Sequence, residues 1–226
     1  MTCYPSQRKE IKMCKICGFT TRKINHPIFG SYHSCERCEF ISKDEKQIVS
    51  EEQELSNYNN HNNSIDDPKY VEFFKKFLEK AVFKHVSDGK KGLDFGSGPS
   101  PVLAQILGRD YDYKMDIYDL FYAKDKTYIG QQYDVITCTE VVEHLKDPMP
   151  YFELFSQLLN NNGVLAIMTL FHENEEDSFK EWHYIRDCTH ISFYTPKTFH
   201  FIAKETGFRI IYTDNHRYMT LAKDFV

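Results

Sequence analysis

No apolar run in these 226 residues approaches the eighteen or so that a membrane span requires. The first ten residues hold no hydrophobic segment of the kind that directs secretion. No membrane partner is expected, and the reading is a cytoplasmic protein. Positive charge is not in excess either: 28 Lys and Arg against 33 Asp and Glu leave a net charge of −5. The broad basic footprint of a nucleic-acid binder is therefore missing, although a local basic patch is compatible with it. No internal repeat is visible. What is abundant is apolar and aromatic: 41% hydrophobic and 15% aromatic, with 18 Phe and 15 Tyr beside a single Trp. That composition excludes a disordered chain and provides for a sizeable core. The length fits one ordinary domain and an appendage of about fifty residues.

Seven cysteines is an odd number for a disulfide scaffold. Four of them stand as Cys14-x2-Cys17 and Cys35-x2-Cys38 with seventeen residues between the pairs, the spacing of a four-thiolate zinc site. Gly18 follows the first pair and lets backbone amides turn toward sulfur, as a zinc knuckle needs. Four thiolates fill a tetrahedron and leave no position for water, so the metal is expected to be structural. Rubredoxin-like iron and disulfides are the competing readings, the latter disfavoured in a reducing compartment. Cys3, Cys138 and Cys188 fall outside this scheme, in a terminus, a buried strand end and a loop.

Residues 11–41 are expected to form the ribbon, with strands around Gly30–Ser34 and Phe40–Ser42. Residues 43–66 are polar, Asn-rich and aperiodic, and read as a linker; Tyr58, His61 and Asn62 within it belong either to a solvated connector or to a lid. Asp67 then caps a helix with Pro68 at its first position. Tyr70, Phe73, Phe74, Phe77, Leu78, Ala81 and Val82 recur at helical spacing and form one buried face. Beyond Ser87-Asp88-Gly89, strands and helices alternate. Strands are predicted at Gly92–Phe95, Tyr113–Tyr118, Tyr133–Cys138, Val164–Thr169, Phe208–Thr213 and Tyr218–Lys223. Helices are predicted at Val102–Leu107, Val141–Leu145, Tyr151–Leu159 and Pro196–Thr206. This alternation argues for a doubly wound, mostly parallel α/β sheet. The division is a zinc ribbon over 1–45, a linker or lid over 46–66 and a catalytic domain over 67–226.

The sharpest motif runs Leu93-Asp94-Phe95-Gly96-Ser97-Gly98-Pro99-Ser100-Pro101. A buried strand enters a Gly-x-Gly turn where a Cβ would stop the backbone approaching a nucleotide-like ligand. A dinucleotide fold would want a third glycine at Pro101, and a P-loop would want Gly-Lys-Ser/Thr; neither is present. Later landmarks follow in order: Met115-Asp116-Ile117-Tyr118-Asp119, then Tyr133-Asp134-Val135-Ile136-Thr137-Cys138, then Thr139-Glu140-Val141-Val142-Glu143-His144-Leu145, then Asp147-Pro148 and Asn162-Gly163-Val164-Leu165. Together these resemble the class I S-adenosylmethionine-dependent methyltransferases over roughly residues 90–223, although Ser100 stands in place of the third glycine of their first motif.

The resemblance implies a seven-stranded sheet and S-adenosylmethionine as cofactor, with S-adenosylhomocysteine as product. By the same likeness Asp94, Gly96 and Gly98 hold the methionine end, and an acid closing the second strand takes the ribose hydroxyls. Asp119 is favoured for that task over Asp116 because it sits where the apolar strand residues stop. Thr139 and Glu140 are expected beside the cofactor. Glu143 is expected chiefly to offset the dipole of its helix, and His144 to anchor its turn. The long connection over 171–194 is too aromatic to be disordered. Its Trp-His-Tyr-x-x-Asp-x-Thr-His-x-x-Phe-Tyr pattern resembles a bacterial subgroup of these enzymes. Trp182, Tyr184 and Tyr194 are the expected substrate-binding residues. His190 with Asp187 is the expected base and orienter, packing being the alternative. The function expected is methyl transfer to a small-molecule acceptor. An RNA base methyltransferase gripping its substrate through the basic ribbon residues Lys9, Lys12, Lys15, Arg22 and Lys23 is one alternative. A non-catalytic binding module is the other.

Overall fold

Residues 11–59, 64–86 and 89–224 are described by the computed structural model; Cys3, Lys9, His61, Asn62 and the turn at Ser87-Asp88 lie outside them. Three short strands open the described chain: β1 (Arg22–His26), β2 (Gly30–Ser34) and β3 (Ile41–Lys43). They pair antiparallel in that order, and the fourth strand of their sheet, β8 (Ser192–Phe193), comes from far along the chain.

The segment expected as a linker holds a helix, α1 (Glu51–Tyr58). Its start is a capping box: Ser50 accepts from the Gln53 amide while the Gln53 side chain accepts from the Ser50 amide. None of its residues is buried, so no apolar stripe marked it in the sequence. The next helix, α2 (Pro68–Phe77), begins at Asp67, whose carboxylate accepts from the Lys69 and Tyr70 amides. It widens into a π-turn over Leu78–Val82, and Phe77, Leu78, Ala81 and Val82 are buried in the face expected of them.

The main sheet is built from β4 (Lys91–Phe95), β5 (Lys114–Tyr118), β6 (Tyr133–Thr139), β7 (Leu159–Met168), β9 (Phe208–Thr213) and β10 (Tyr218–Lys223). Its order is β5-β4-β6-β7-β10-β9, with β4 to β7 mutually parallel and β10 antiparallel to both neighbours. Among the described residues the sheet therefore has six strands where the resemblance implied seven. Residues 119–132 make a hydrogen-bonded turn at Asp119 and Ala123 and return to β6 without adding an edge strand. Their Lys-Asp-Lys-Thr and Gly-Gln-Gln stretches carry no alternating apolar face to bury. The connecting helices are α3 (Val102–Tyr111), α4 (Met149–Leu158), the short α5 (Glu176–Glu181) and α6 (Pro196–Thr206). The expected helix at Val141–Leu145 is a single 3-10 turn over Val142–His144.

The ribbon shares the catalytic domain's core. Cys14, Cys35, Cys38 and Phe40 belong to the same buried cluster as Leu93, Phe95 and Phe155. A second cluster joins Ile24, Tyr32 and Ile41 of the ribbon to Phe179, Ile185 and Phe193.

Because the Asp67 carboxylate satisfies two amides that have no partner within α2, Asp67→Ala is expected to cost about 1 kcal/mol in urea denaturation, with the m-value unchanged.

Candidate active site

The ends of the parallel strands determine which aspartate reaches the cavity. β4 and β5 run in register with Leu93 beside Asp116 and Phe95 beside Tyr118. Asp116 is thus two residues short of the strand end, and its carboxylate accepts from the Tyr133 hydroxyl at 2.7 Å. Asp119 lies one residue past the end, next to the glycine loop. The Gly96 and Ser97 amides donate to the Tyr118 carbonyl at 2.7 and 3.1 Å. The Gly98 amide donates to Asp119 Oδ2 at 2.9 Å, and Asp119 Oδ1 accepts from the Phe121 and Tyr122 amides. Gly96 has φ +83°, and a Cβ there would stand 2.1 Å from Val141 Cγ2. No side chain can be added without moving that wall.

These residues line a cavity of about 610 Å³ that also takes in α1, α2 and the segment after β6. At its floor Asp94 is buried and accepts from Thr137 Oγ1 at 2.9 Å. The Ser97 hydroxyl lines the same space, buried and without a hydrogen-bond partner. An orphaned hydroxyl beside a glycine cradle is where a polar ligand atom completes the bonding. Thr139 and Glu140 stand at the end of β6 on the cavity, Glu140 at φ +53°.

The far end of the cavity is formed by α1 and the loop before β8. His144 Nδ1–H donates to the Thr189 carbonyl at 3.0 Å, and His190 Nδ1–H to the Tyr184 carbonyl at 2.8 Å. The two rings meet edge to face with centroids 4.8 Å apart. Asp187 Oδ2 lies 3.8 Å from His190 Nε2, within ion-pair range and beyond direct hydrogen-bond reach. Its hydrogen bonds come from the Thr189 amide and hydroxyl and from Asn57 Nδ2 of α1, at 3.1 and 3.3 Å for the last. Burial pushes the Asp187 carboxyl up, but the Thr189 donors and the charges of His190 and His144 together hold it below the usual carboxylate range.

Trp182, Tyr184 and Tyr194, expected at the substrate, do not line the cavity. Tyr194 is wholly buried and donates to the Val142 carbonyl at 2.8 Å. Trp182 stacks among Phe179, Tyr184 and Phe193. The Tyr184 hydroxyl donates to the Glu143 carboxylate and lies 3.2 Å from Glu140 Oε2. Glu143 is correspondingly not a solvated helix cap: it is fully buried, one oxygen lacks a partner, and its carboxyl is raised far above normal by burial and then by the charge of Glu140. An aromatic and histidine run looks the same in sequence whether it lines a cavity or supports its wall. The cavity-lining residues that sequence reasoning read otherwise are Ile48, Val49, Glu51 and Glu54 near α1 and the α2 rings of Tyr70, Phe73 and Phe74. Ser50-x-x-Gln53 was the available signal for α1.

Among the described residues two groups have metal-ligand geometry. The sulfurs of Cys14, Cys17, Cys35 and Cys38 all lie within 4.8 Å of one another, with Cys14–Cys38 and Cys17–Cys35 both at 3.4 Å. That is far beyond the roughly 2.05 Å of a disulfide and close to the edge of a zinc-thiolate tetrahedron. The two turns match: Gly18 and Glu39 each follow the second cysteine at φ +64°, and their amides donate back to the carbonyls of Cys14 and Cys35. The Cys38 thiol holds Cys14 down to about 5, while Cys38 itself is pushed far up by that contact and by burial. Four sulfurs at this spacing fit a tetrahedral metal site. The second group is Glu143, His144 and His190, which bring one ligand atom each within 4.8 Å of one another.

A glycine loop at the carboxyl ends of a parallel sheet, with an acid past the second strand, defines a nucleotide-cofactor-binding α/β protein. Residues 66–213, well over half the chain, match the family described as Methyltransferase domain, and the chain belongs to that family. It is similar to the ubiquinone biosynthesis O-methyltransferase of Histophilus somni, 32% identical over 94 residues covering 40% of this chain and 37% of that protein. The enzyme of the same description from Marinobacter nauticus is 33% identical over 84 residues, covering 35% of this chain and 34% of that one. The chain thus matches little more than a third of these relatives' length. An O-methyltransferase family protein from Burkholderia thailandensis shares the fold, with a TM-score of 0.54 at 13% identity over 76% of this chain and 63% of that one.

The pH dependence of stability tests the floor of the cavity. Burial raises the Asp94 carboxyl from 3.8 to about 6, against the pull of the Thr137 hydroxyl. The folded chain keeps a proton there that the unfolded chain loses near pH 4. This contribution to stability is full below about pH 4 and is lost as pH rises through about 6. Between pH 4 and 7.5, ligand-free Asp94→Asn is therefore expected to gain about 2–3 kcal/mol relative to the parent. Urea titrations of both proteins at the two pH values measure the difference, and a constant offset counts against it.

Proposed function

We propose that this chain is an S-adenosylmethionine-dependent methyltransferase acting on a small-molecule acceptor, with a structural zinc in its ribbon. The carrying observation is the loop–acid knot: Gly98 bonded to Asp119 across the ends of β4 and β5, beside a buried Ser97 hydroxyl that lacks a partner. The residues fit that cofactor. Asp94 and Glu140 supply negative charge for its cationic end, Asp119 has acceptor capacity left for ribose hydroxyls, and the Gly96 cradle admits backbone contact. When bound, the cofactor supplies an electrophilic methyl group with its own leaving group.

The protein's contribution is to orient, exclude water and accept a proton. α1 and the Tyr58 ring cover one side, Tyr58 resting against Phe121 and His144. The relatives' printed names make a hydroxyl the favoured acceptor, and a hydroxyl must give up a proton as it is methylated. His190 is the proposed proton acceptor: its Nδ1–H is committed to a backbone carbonyl, which assigns the basic role to Nε2. His144 is constrained in the same way beside it. Asp187 hydrogen-bonds α1 and the loop, and its carboxylate faces the imidazole at ion-pair distance. Glu51, Glu54, Glu140 and Asp187 make the acceptor side acidic, with Lys146 the only lysine or arginine among the cavity-lining residues described. That wall repels a phosphate backbone and supports a small molecule over RNA.

Gly96→Val is expected to abolish S-adenosylhomocysteine binding in calorimetry. Asp119→Ala is expected to weaken it by about 1–3 kcal/mol, and Asp116→Ala to leave it intact. Methyl transfer from labelled S-adenosylmethionine to a panel of hydroxylated aromatic compounds tests the reaction. With a turned-over acceptor, His190→Gln is expected to lower the rate about 10²–10⁴-fold and to remove the acid limb of the pH–rate profile, cofactor affinity being retained. Parental turnover by that variant assigns His190 to packing.

A further inference from the structure

The four-cysteine ribbon is built into the wall of the cavity. β3 pairs with β8, Ile41 beside Phe193 and Ser42 beside Ser192, and the Lys43 amide donates to the Ile191 carbonyl at 2.8 Å. Ile191 lines the cavity next to His190. Both knuckles carry a further tie. From the first, Lys15 Nζ donates to the carbonyl of Lys146, a cavity residue, at 2.7 Å. In the second, the Cys38 carbonyl accepts from Thr198 Oγ1 and the Glu39 carbonyl from His172 Nε2–H, both at 2.9 Å. The His172 tautomer is determined because its Nδ1 accepts from the Asn174 amide. On the other side of the wall, Asp187 holds Asn57 of α1.

β8 is two residues long, and β3 is its only strand partner among the described residues. β3 is itself only three residues. Strands this short do not persist without neighbours, and the ribbon strands depend on their knuckles for closure. We infer that the ribbon's metal centre is the strut of the acceptor-side wall. Its occupancy sets the order of residues 187–191 and, through Asp187 and Asn57, of α1. His172, Thr198 and Lys15 are the positioning residues that carry that order into the catalytic domain. This rests on the reading that the four cysteines bind zinc.

The test is hydrogen exchange read by mass spectrometry on the full chain, with zinc content measured first and the metal then stripped by a chelator under reducing conditions. Stripping is expected to raise exchange about tenfold or more over 188–194 and 50–58 as well as over 11–44, while β4, β6 and β7 keep their protection. An increase confined to 11–44 overturns the inference and leaves the zinc reading standing. A purified chain that takes up no zinc overturns both. Should stripping unfold the whole chain, His172→Phe with zinc retained decides the matter. Faster exchange at 188–194, restored to parental rates by His172→Gln, supports the strut, and unchanged exchange in His172→Phe overturns it.

Discussion

The cofactor end of this molecule hangs on one junction, where the carboxyl ends of β4 and β5 are sewn together. Gly96 and Ser97 donate to the last carbonyl of β5, and Gly98 donates to the carboxylate just beyond it. In a parallel sheet these ends are where backbone groups run out of strand partners, and the loop amides are left to be satisfied by an acid or by a ligand. Asp119 takes three amides at once, so the glycine loop and the turn after β5 are held as a single surface. The positive φ of Gly96 and the closeness of Val141 leave that surface bare of side chain. A cavity follows from the geometry of the junction.

The opposite end is organised by buried acid. Glu143 lies in the core with Tyr184 as its donor and Glu140 as its charged neighbour. Leaving a carboxyl in such a place costs several kcal/mol unless it is protonated or bonded, which explains why an aromatic expected to touch substrate is spent on holding it. The same economy governs Asp187, whose lone pairs go to Thr189 and Asn57. The result is a wall in which each polar group near the two imidazoles positions a backbone segment. The ribbon closes that wall from behind through β3 and β8, so a segment at the start of the described chain and one some 150 residues later behave as one sheet. The cysteine knuckles and the far end of the cavity are thus parts of one construction, although nothing in their spacing along the chain joins them.

Much of this was legible without coordinates, for local reasons. The two Cys-x2-Cys turns, the Pro68 and Pro196 helix starts, the alternating strands and the Asp94-x-Gly-x-Gly turn are each determined within a few residues, where steric and capping rules act directly. The place of Asp119 just past the strand end, with Asp116 inside the strand, followed from where apolar strand residues end. What sequence alone could not decide were relations between distant segments. The six-stranded sheet among the described residues, the helix α1 with no buried face, the supporting position of Trp182, Tyr184 and Tyr194, and the tie of Asp187 to Asn57 all depend on partners far along the chain. Residue type determines what a side chain can do; only the tertiary structure decides which neighbour it does it with, because hydrogen bonds and burial are satisfied in space and not along the chain. So the sequence by itself determined a methyltransferase-like sheet and a four-cysteine cluster, and the tertiary structure decided that the ribbon of the second shares a sheet with a wall of the first.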